Sequence, residues 1–195
     1  MKKEIIYVVL MVTILASCKA HSQQKNIIQQ KNTTMATADY TTTIVVDQSP
    51  EAVFKAVTNP RGWWSEEIEG GTAKLNDEFN YHYKDVHISK MKLIEVIPNE
   101  RVVWLVVDNH FNFTKDESEW KGNKIIFDIT GKDNKTQLQF TQVGLVPAYE
   151  CYDICQNAWS NYINNSLRNL ITAGKGQPNP KEGGFNEQLL QQHKK

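Results

Sequence analysis

The chain has 195 residues, with 22 basic and 22 acidic side chains and a formal charge of zero. That balance weighs against a nucleic-acid partner, which calls for a basic excess gathered on one face. The length suits one domain with tails rather than two domains.

The first segment reads as a targeting signal. Met1-Lys2-Lys3 is positive, and residues 5–16 form an apolar run of signal-core length. The run is too short to cross a bilayer, and it closes on Leu15-Ala16-Ser17-Cys18. This ending is similar to the lipobox of bacterial lipoproteins, in which the Cys becomes the first mature residue and carries the lipid. The resemblance implies a signal peptide over 1–17 and lipidation at Cys18. It also implies a membrane-anchored location in the bacterial cell envelope, on the periplasmic side or the cell surface. Residues 18–39 are polar and rich in Gln, Asn and Thr, and read as a flexible linker.

Residues 40–46, β-branched and aromatic, predict a first strand. Ser49 then suits an N-cap and Pro50 a first helical position, with a short amphipathic helix through about Thr58. Asn59-Pro60-Arg61-Gly62 breaks it, and Trp63-Trp64 follow on a turn. Strands are expected near 66–70, over 78–84 with Phe79, Tyr81 and Tyr83 on one face, over 87–97 and over 101–108. Two more follow, over 124–130 and 136–141, joined by a hairpin turn at 131–134. Residues 109–123 are too long and too aromatic for a tight hairpin. They read either as an extended hairpin or as a flap carrying Phe111, Phe113 and Trp120. Residues 149–171 carry the strongest helix signal. Cys151, Cys155, Trp159, Tyr162, Ile163, Leu167, Leu170 and Ile171 share one face. Residues 175–195 read as a loosely attached C-terminal tail.

With Cys18 acylated, two cysteines remain. Cys151 and Cys155 stand four apart on the long helix, where a disulfide is geometrically poor. They read as buried thiols, with a redox pair or metal site as the alternative.

This order of elements resembles the START-like or SRPBCC superfamily, whose α+β helix-grip fold wraps a curved antiparallel sheet of about six or seven strands on a long C-terminal helix. Ser49-Pro50-Glu51-Ala52-Val53-Phe54 is similar to the start of that superfamily's first helix. Glu119-Trp120-Lys121-Gly122, residues 140–147 and Trp159-Ser160-Asn161-Tyr162 resemble bacterial members grouped with the C-terminal domain of the activator of heat-shock protein 90 ATPase. The resemblance covers residues 40–174, the expected domain. It implies an apolar cavity between sheet and helix. The export signal departs from the cytosolic chaperone role of those bacterial relatives.

A catalytic constellation does not stand out. Phosphate loop, nucleophile elbow and zinc motif are all missing from the sequence, and no cofactor or metal is expected. His82 and His87 lie close together but suggest no third ligand. Glu95 or Asp128 would be candidate general bases if buried in a pocket beside Tyr81 or Tyr83. An exposed patch of Trp63, Trp64, Phe111, Phe113 and Trp120 would instead favour a protein-interaction module, though no protein partner is indicated. The preferred reading is binding of a small hydrophobic or amphipathic molecule without catalysis, with a cyclase- or hydrolase-like enzyme as the alternative. The candidate pocket residues are Trp63, Trp64, Phe79, Tyr81, Tyr83, Trp104, Phe127 and Phe140, with Cys155, Trp159, Tyr162 and Ile163 from the helix.

Overall fold

The computed structural model describes residues 38–193. The expected signal peptide, Cys18 and all of the linker before residue 38 lie outside the described residues. Seven strands run along the chain: β1 (Tyr40–Val46), β2 (Ile68–Gly70), β3 (Glu78–Tyr83), β4 (His87–Ile97), β5 (Arg101–Phe111), β6 (Lys124–Lys132) and β7 (Lys135–Val143). They pair antiparallel in one sheet with the order β1-β7-β6-β5-β4-β3-β2. A short helix, α1 (Pro50–Val57), crosses after β1. The long helix α2 has α-helical ends, Tyr152–Asn161 and Arg168–Ala173, around a π-helical stretch Tyr162–Leu167. A further helix, α3, spans Gly184–His193.

The strand pattern explains the sheet's inner face. In β3, Phe79, Tyr81 and Tyr83 are buried while Glu78 and Asn80 are exposed. In β7, Thr136, Leu138, Phe140 and Gln142 alternate with exposed or half-buried neighbours. Each large apolar side chain withdrawn from water contributes roughly 1.5–3 kcal/mol, so the alternation commits one face of the sheet to α2. Register shifts at Lys90/Met91 and Leu93/Glu95 in the β4–β5 pair add the local bend and twist that bulges introduce. Ser49 caps α1, its Oγ accepting from Ala52 N at 3.3 Å. The β6–β7 turn is tighter than expected. Asp133 and Asn134 alone make it, both at positive φ, as a type I′ hairpin demands.

Two boundaries differ from expectation by three residues, more than the others. β5 continues past Asp108 to Phe111, because Asn109 pairs with Ser89 and Phe111 with His87 across β4. Asn109 and Phe111 are buried, so the inward alternation persists through a stretch whose polar composition concealed it. The long helix begins at Tyr152, and its π turn shifts the helical phase. Tyr162, Ile163, Ser166 and Leu167 within it are buried, and such a turn is often found at functional sites.

The largest departure is the tail. Read as loosely attached, residues 176–193 are docked on the domain. A Cβ on Gly176 would come 2.3 Å from the Gly62 carbonyl oxygen, so only glycine permits this approach. Ser166 Oγ donates to Trp63 O at 2.6 Å and accepts from Gln177 N at 2.7 Å. Asn179 N donates to Trp64 O at 2.8 Å, and Glu66 N donates to Asn179 O at 3.1 Å. Most of these bonds involve main-chain atoms, which leave no trace in side-chain composition.

Candidate functional site

The inner face of the sheet and α2 enclose a cavity of about 60 Å³. Its walls come from three places. Strands β3 and β4 supply Tyr81, Tyr83 and His87; β5 and the loop after it supply Phe111, Phe113 and Trp120; α2 supplies Ile154, Cys155, Ala158, Trp159 and Tyr162. Trp64 lies on the floor, stacked on Tyr81 with centroids 4.4 Å apart. The remaining side is closed by Asn186, Leu189 and Leu190 of α3.

Of the twelve expected pocket residues, Trp64, Tyr81, Tyr83, Cys155, Trp159 and Tyr162 line this cavity. Trp63, Phe79, Trp104, Phe127, Phe140 and Ile163 do not. They are fully buried in the packed core behind it, where Trp63, Trp104 and Phe127 lie against one another. Strand alternation selects a face of the sheet but not a position along the strands, so it could not separate the cavity wall from the packed end. Phe111, Phe113 and Trp120 sit in the stretch left open between hairpin and flap. They turn inward, and Trp63, Trp64, Phe111 and Trp120 are buried, so these rings form no exposed patch. Missed altogether were Asn186, Leu189 and Leu190, because the tail was not expected to dock.

The two carboxylates considered as bases are elsewhere. Glu95 and Asp128 lie on the outer face of the sheet, where both pair with Arg101, and neither lines the cavity. His82 turns away from the Phe79-Tyr81-Tyr83 face, half-buried beside Glu67 at 3.7 Å. Among the described residues, no cluster of three or more His, Cys, Asp or Glu could hold a metal.

The polar groups of the cavity follow simple rules. His87 is caged by the rings of Tyr81, Phe111 and Trp120, and this desolvation pushes its pKa down to about 3. The imidazole is therefore neutral at physiological pH. Its Nε2 shares a 2.7 Å hydrogen bond with Ser89 Oγ. Ser89 Oγ accepts from Asn109 Nδ2, and Asn109 Oδ1 accepts from Trp120 N. Burial likewise pushes the Cys155 thiol well above its ordinary range, so it is a protonated, apolar wall group rather than a nucleophile. Cys151 and Cys155 are free and buried; Cys151 Sγ accepts from Trp120 Nε1 at 3.2 Å.

Three phenols converge at the mouth. Burial raises the pKa of Tyr81 and of Tyr162, and that of Tyr83 to about 12, so all three are protonated. Tyr162 Oη donates to Asn186 Oδ1 at 2.7 Å, and Asn186 Nδ2 donates to Tyr81 Oη at 3.0 Å. Tyr83 Oη donates to Glu187 Oε2 at 2.8 Å, where Lys84 Nζ also donates at 2.8 Å. An apolar chamber with hydrogen-bonding groups gathered at one end is the general form of a small-molecule site.

A curved antiparallel sheet gripping a long helix around such a chamber defines a START-like domain. A family model described as Activator of Hsp90 ATPase homolog 1-like protein matches residues 47–172, and the chain belongs to that family. No curated protein sequence matches the chain. Among solved structures, the Aha1 dimer from Colwellia psychrerythraea is similar at 22% identity and a TM-score of 0.58, covering 71% of this chain and 99% of that one. DynU16, a putative protein in the dynemicin biosynthetic locus, is similar at 15% identity and a TM-score of 0.53, covering 71% of this chain and 48% of its own. A conserved protein of unknown function from Enterococcus faecalis is 15% identical with a TM-score of 0.51, covering 83% and 93%. At these identities the likeness establishes the fold alone.

Proposed function

We propose that this chain is a lipid-anchored protein of the bacterial cell envelope whose START-like domain binds a small hydrophobic or amphipathic ligand without catalysis. The observation that carries the ligand-binding reading is the chamber itself. Apolar rings line its walls, and Tyr81, Tyr83 and Tyr162 stand together at the end that α3 covers. The chamber, about 60 Å³ with α3 in place, is far below the roughly 300–1,000 Å³ of ordinary ligand pockets. Binding of anything larger than a few atoms therefore entails widening. The wall also matters for what it lacks: its ring-caged histidine is neutral, its thiol is protonated and no carboxylate enters it, a poor set of groups for acid–base work. Native mass spectrometry of the purified protein, followed by a titration with lipophilic fluorophores, tests the reading. A bound apolar mass or saturable fluorescence is the expected result. A protein that retains nothing and takes up no probe would refute it.

The anchor rests on the sequence alone, through the apolar run and Leu15-Ala16-Ser17-Cys18. In bacterial cells fed a palmitate analogue, the protein is expected to carry label and Cys18→Ala to abolish it. Equal labelling of both would remove the anchor from the proposal.

A further inference from the structure

The helix that closes the chamber is built like a ligand. Its Asn186 amide accepts from Tyr162 and donates to Tyr81, and its Glu187 carboxylate accepts from Tyr83 and Lys84. One turn further on, Leu189 and Leu190 face the apolar wall. A polar head followed by an aliphatic body thus occupies the mouth in the order an amphiphile would present.

The same helix is weakly held. Leu189 is its one buried apolar side chain among the described residues, still 8% exposed, and Phe185 and Leu190 are only partly covered. Ten residues are too few for an isolated helix to persist in water. Upstream, Asn179 is pinned to Trp64 and Glu66 by main-chain bonds. At the junction with α3 stand Gly183 and Gly184, the latter the first residue of the helix, with φ of 74° and 77°. Two adjacent residues in a region that suits glycine give the chain a pivot there. Release of α3 therefore leaves the main-chain bonds of Asn179 in place, and breaks the bond from Asn186 N to Asn179 Oδ1, the tyrosine bonds and the burial of Leu189.

We infer that α3 is a built-in competitor for the chamber, and that the ligand displacing it is a carboxylate-bearing amphiphile of the fatty-acid type. The inference rests on the ligand-binding reading and adds both the chemical class and the gate. The carboxylate follows from the seat of Glu187, where a neutral phenol and a lysine ammonium both donate to one carboxylate oxygen; charge-assisted donors of this kind select an anion over an alcohol. With α3 away, the acid's carboxylate takes the Tyr83 and Lys84 donors. Its chain replaces Leu189 and Leu190 against Ile154, Ala158 and Phe113. Because only molecules with α3 displaced admit ligand, seating of the helix lowers the apparent affinity in proportion to the closed population.

The test uses the full chain with decanoate and, as the uncharged counterpart, decan-1-ol. Binding is followed by tryptophan fluorescence, and α3 by amide hydrogen exchange. The double variant L189D/L190D is expected to bind decanoate about tenfold more tightly than the parent, as removal of a mostly closed state requires. Glu187→Gln keeps the shape of α3 and weakens its seat, and is expected to shift affinity in the same direction; it covers the case in which the double variant does not fold. In the parent chain, saturating decanoate is expected to accelerate exchange in α3 while β7 stays protected. Lys84→Met in the Glu187→Gln background is expected to lose decanoate affinity and keep that for decan-1-ol. Decanoate binding with α3 equally protected, or weakened by both lid variants, makes α3 a wall and overturns the competitor. Equal affinity for acid and alcohol overturns the carboxylate. Failure of every variant to bind either probe sinks the ligand-binding reading as well.

Discussion

Replacing Trp159 with alanine is expected to destabilise the domain by about 3–5 kcal/mol, the range for removing a buried aromatic from a packed core. The ring is 1% exposed and joins the two halves of the interior. It lies 4.8 Å from Phe140 on the packed side, and 5.1 Å from Trp64 and 5.8 Å from Trp120 on the chamber side. Its Nε1 donates to Gln142 Oε1 at 2.6 Å. Gln142 is fully buried, and its Nε2 already lacks a partner among the described residues. Losing the indole leaves the whole amide unpaired, and about 1–3 kcal/mol of the cost is this uncompensated desolvation. A second substitution separates the two contributions. Trp159→Phe keeps most of the packing and removes the donor, and should cost about 1–3 kcal/mol. Gln142→Met in that background should recover much of the loss, because the unpaired amide is removed with its partner. Chemical denaturation followed by circular dichroism reads all three. A Trp159→Ala cost under about 1 kcal/mol would mean that the ring is not packed as described.

Glu119→Ala is expected to cost about 2–4 kcal/mol, since it strips a partner from two main-chain donors at once, a part-buried one at Glu150 and a buried one at Cys151. Both carboxylate oxygens are engaged. Oε1 accepts from Glu150 N at 2.6 Å and Oε2 from Cys151 N at 2.9 Å. These groups sit at the start of α2, where helix N–H groups lack intrahelical acceptors and a negative charge is favoured. The neighbouring Trp120 bonds Cys151 Sγ, so the pair Glu119-Trp120 clamps the connection after β5 onto the helix start. Glu119→Gln keeps one acceptor and turns an amide donor toward the second N–H, and should fall between wild type and alanine. Hydrogen exchange at residues 150–155 locates the damage. Alanine with unchanged protection there, and a stability loss within about 0.5 kcal/mol, would remove the clamp from the account.

Glu119 also marks the limit of reading along the chain. Its neighbourhood carries part of the family resemblance, yet its partners lie 31 and 32 residues away, and no local pattern names them. The reverse holds for β1 and β4, which span the residues their local composition and pattern implied. Pattern works there because a strand with one face in the core repeats every two residues whatever it packs against. The site falls between these cases. Tyr81, Tyr83, Trp159 and Tyr162 were legible as inward-facing rings. Phe127, Phe140 and Trp104 carried the same signal and proved to be solid core. Asn186 carried no signal, since an asparagine in a Gly- and Gln-rich tail reads as solvated until a docked backbone brings it between two phenols.

What the sequence by itself determined is therefore the periodic part: seven strands, two of the helices, the side that each presents to the core, and through the order of elements the START-like family. These depend on interactions within a few residues or on burial averaged over a face. Only the tertiary structure decided where the interior stays open, which of the buried rings border that space, and that the tail returns to close it. Those outcomes rest on single contacts between distant segments. One is the approach of Gly176 to the Gly62 carbonyl, and another is the bridge of Asn186 between Tyr81 and Tyr162. The free energy of such contacts depends on three-dimensional placement, and so it leaves no period in the chain.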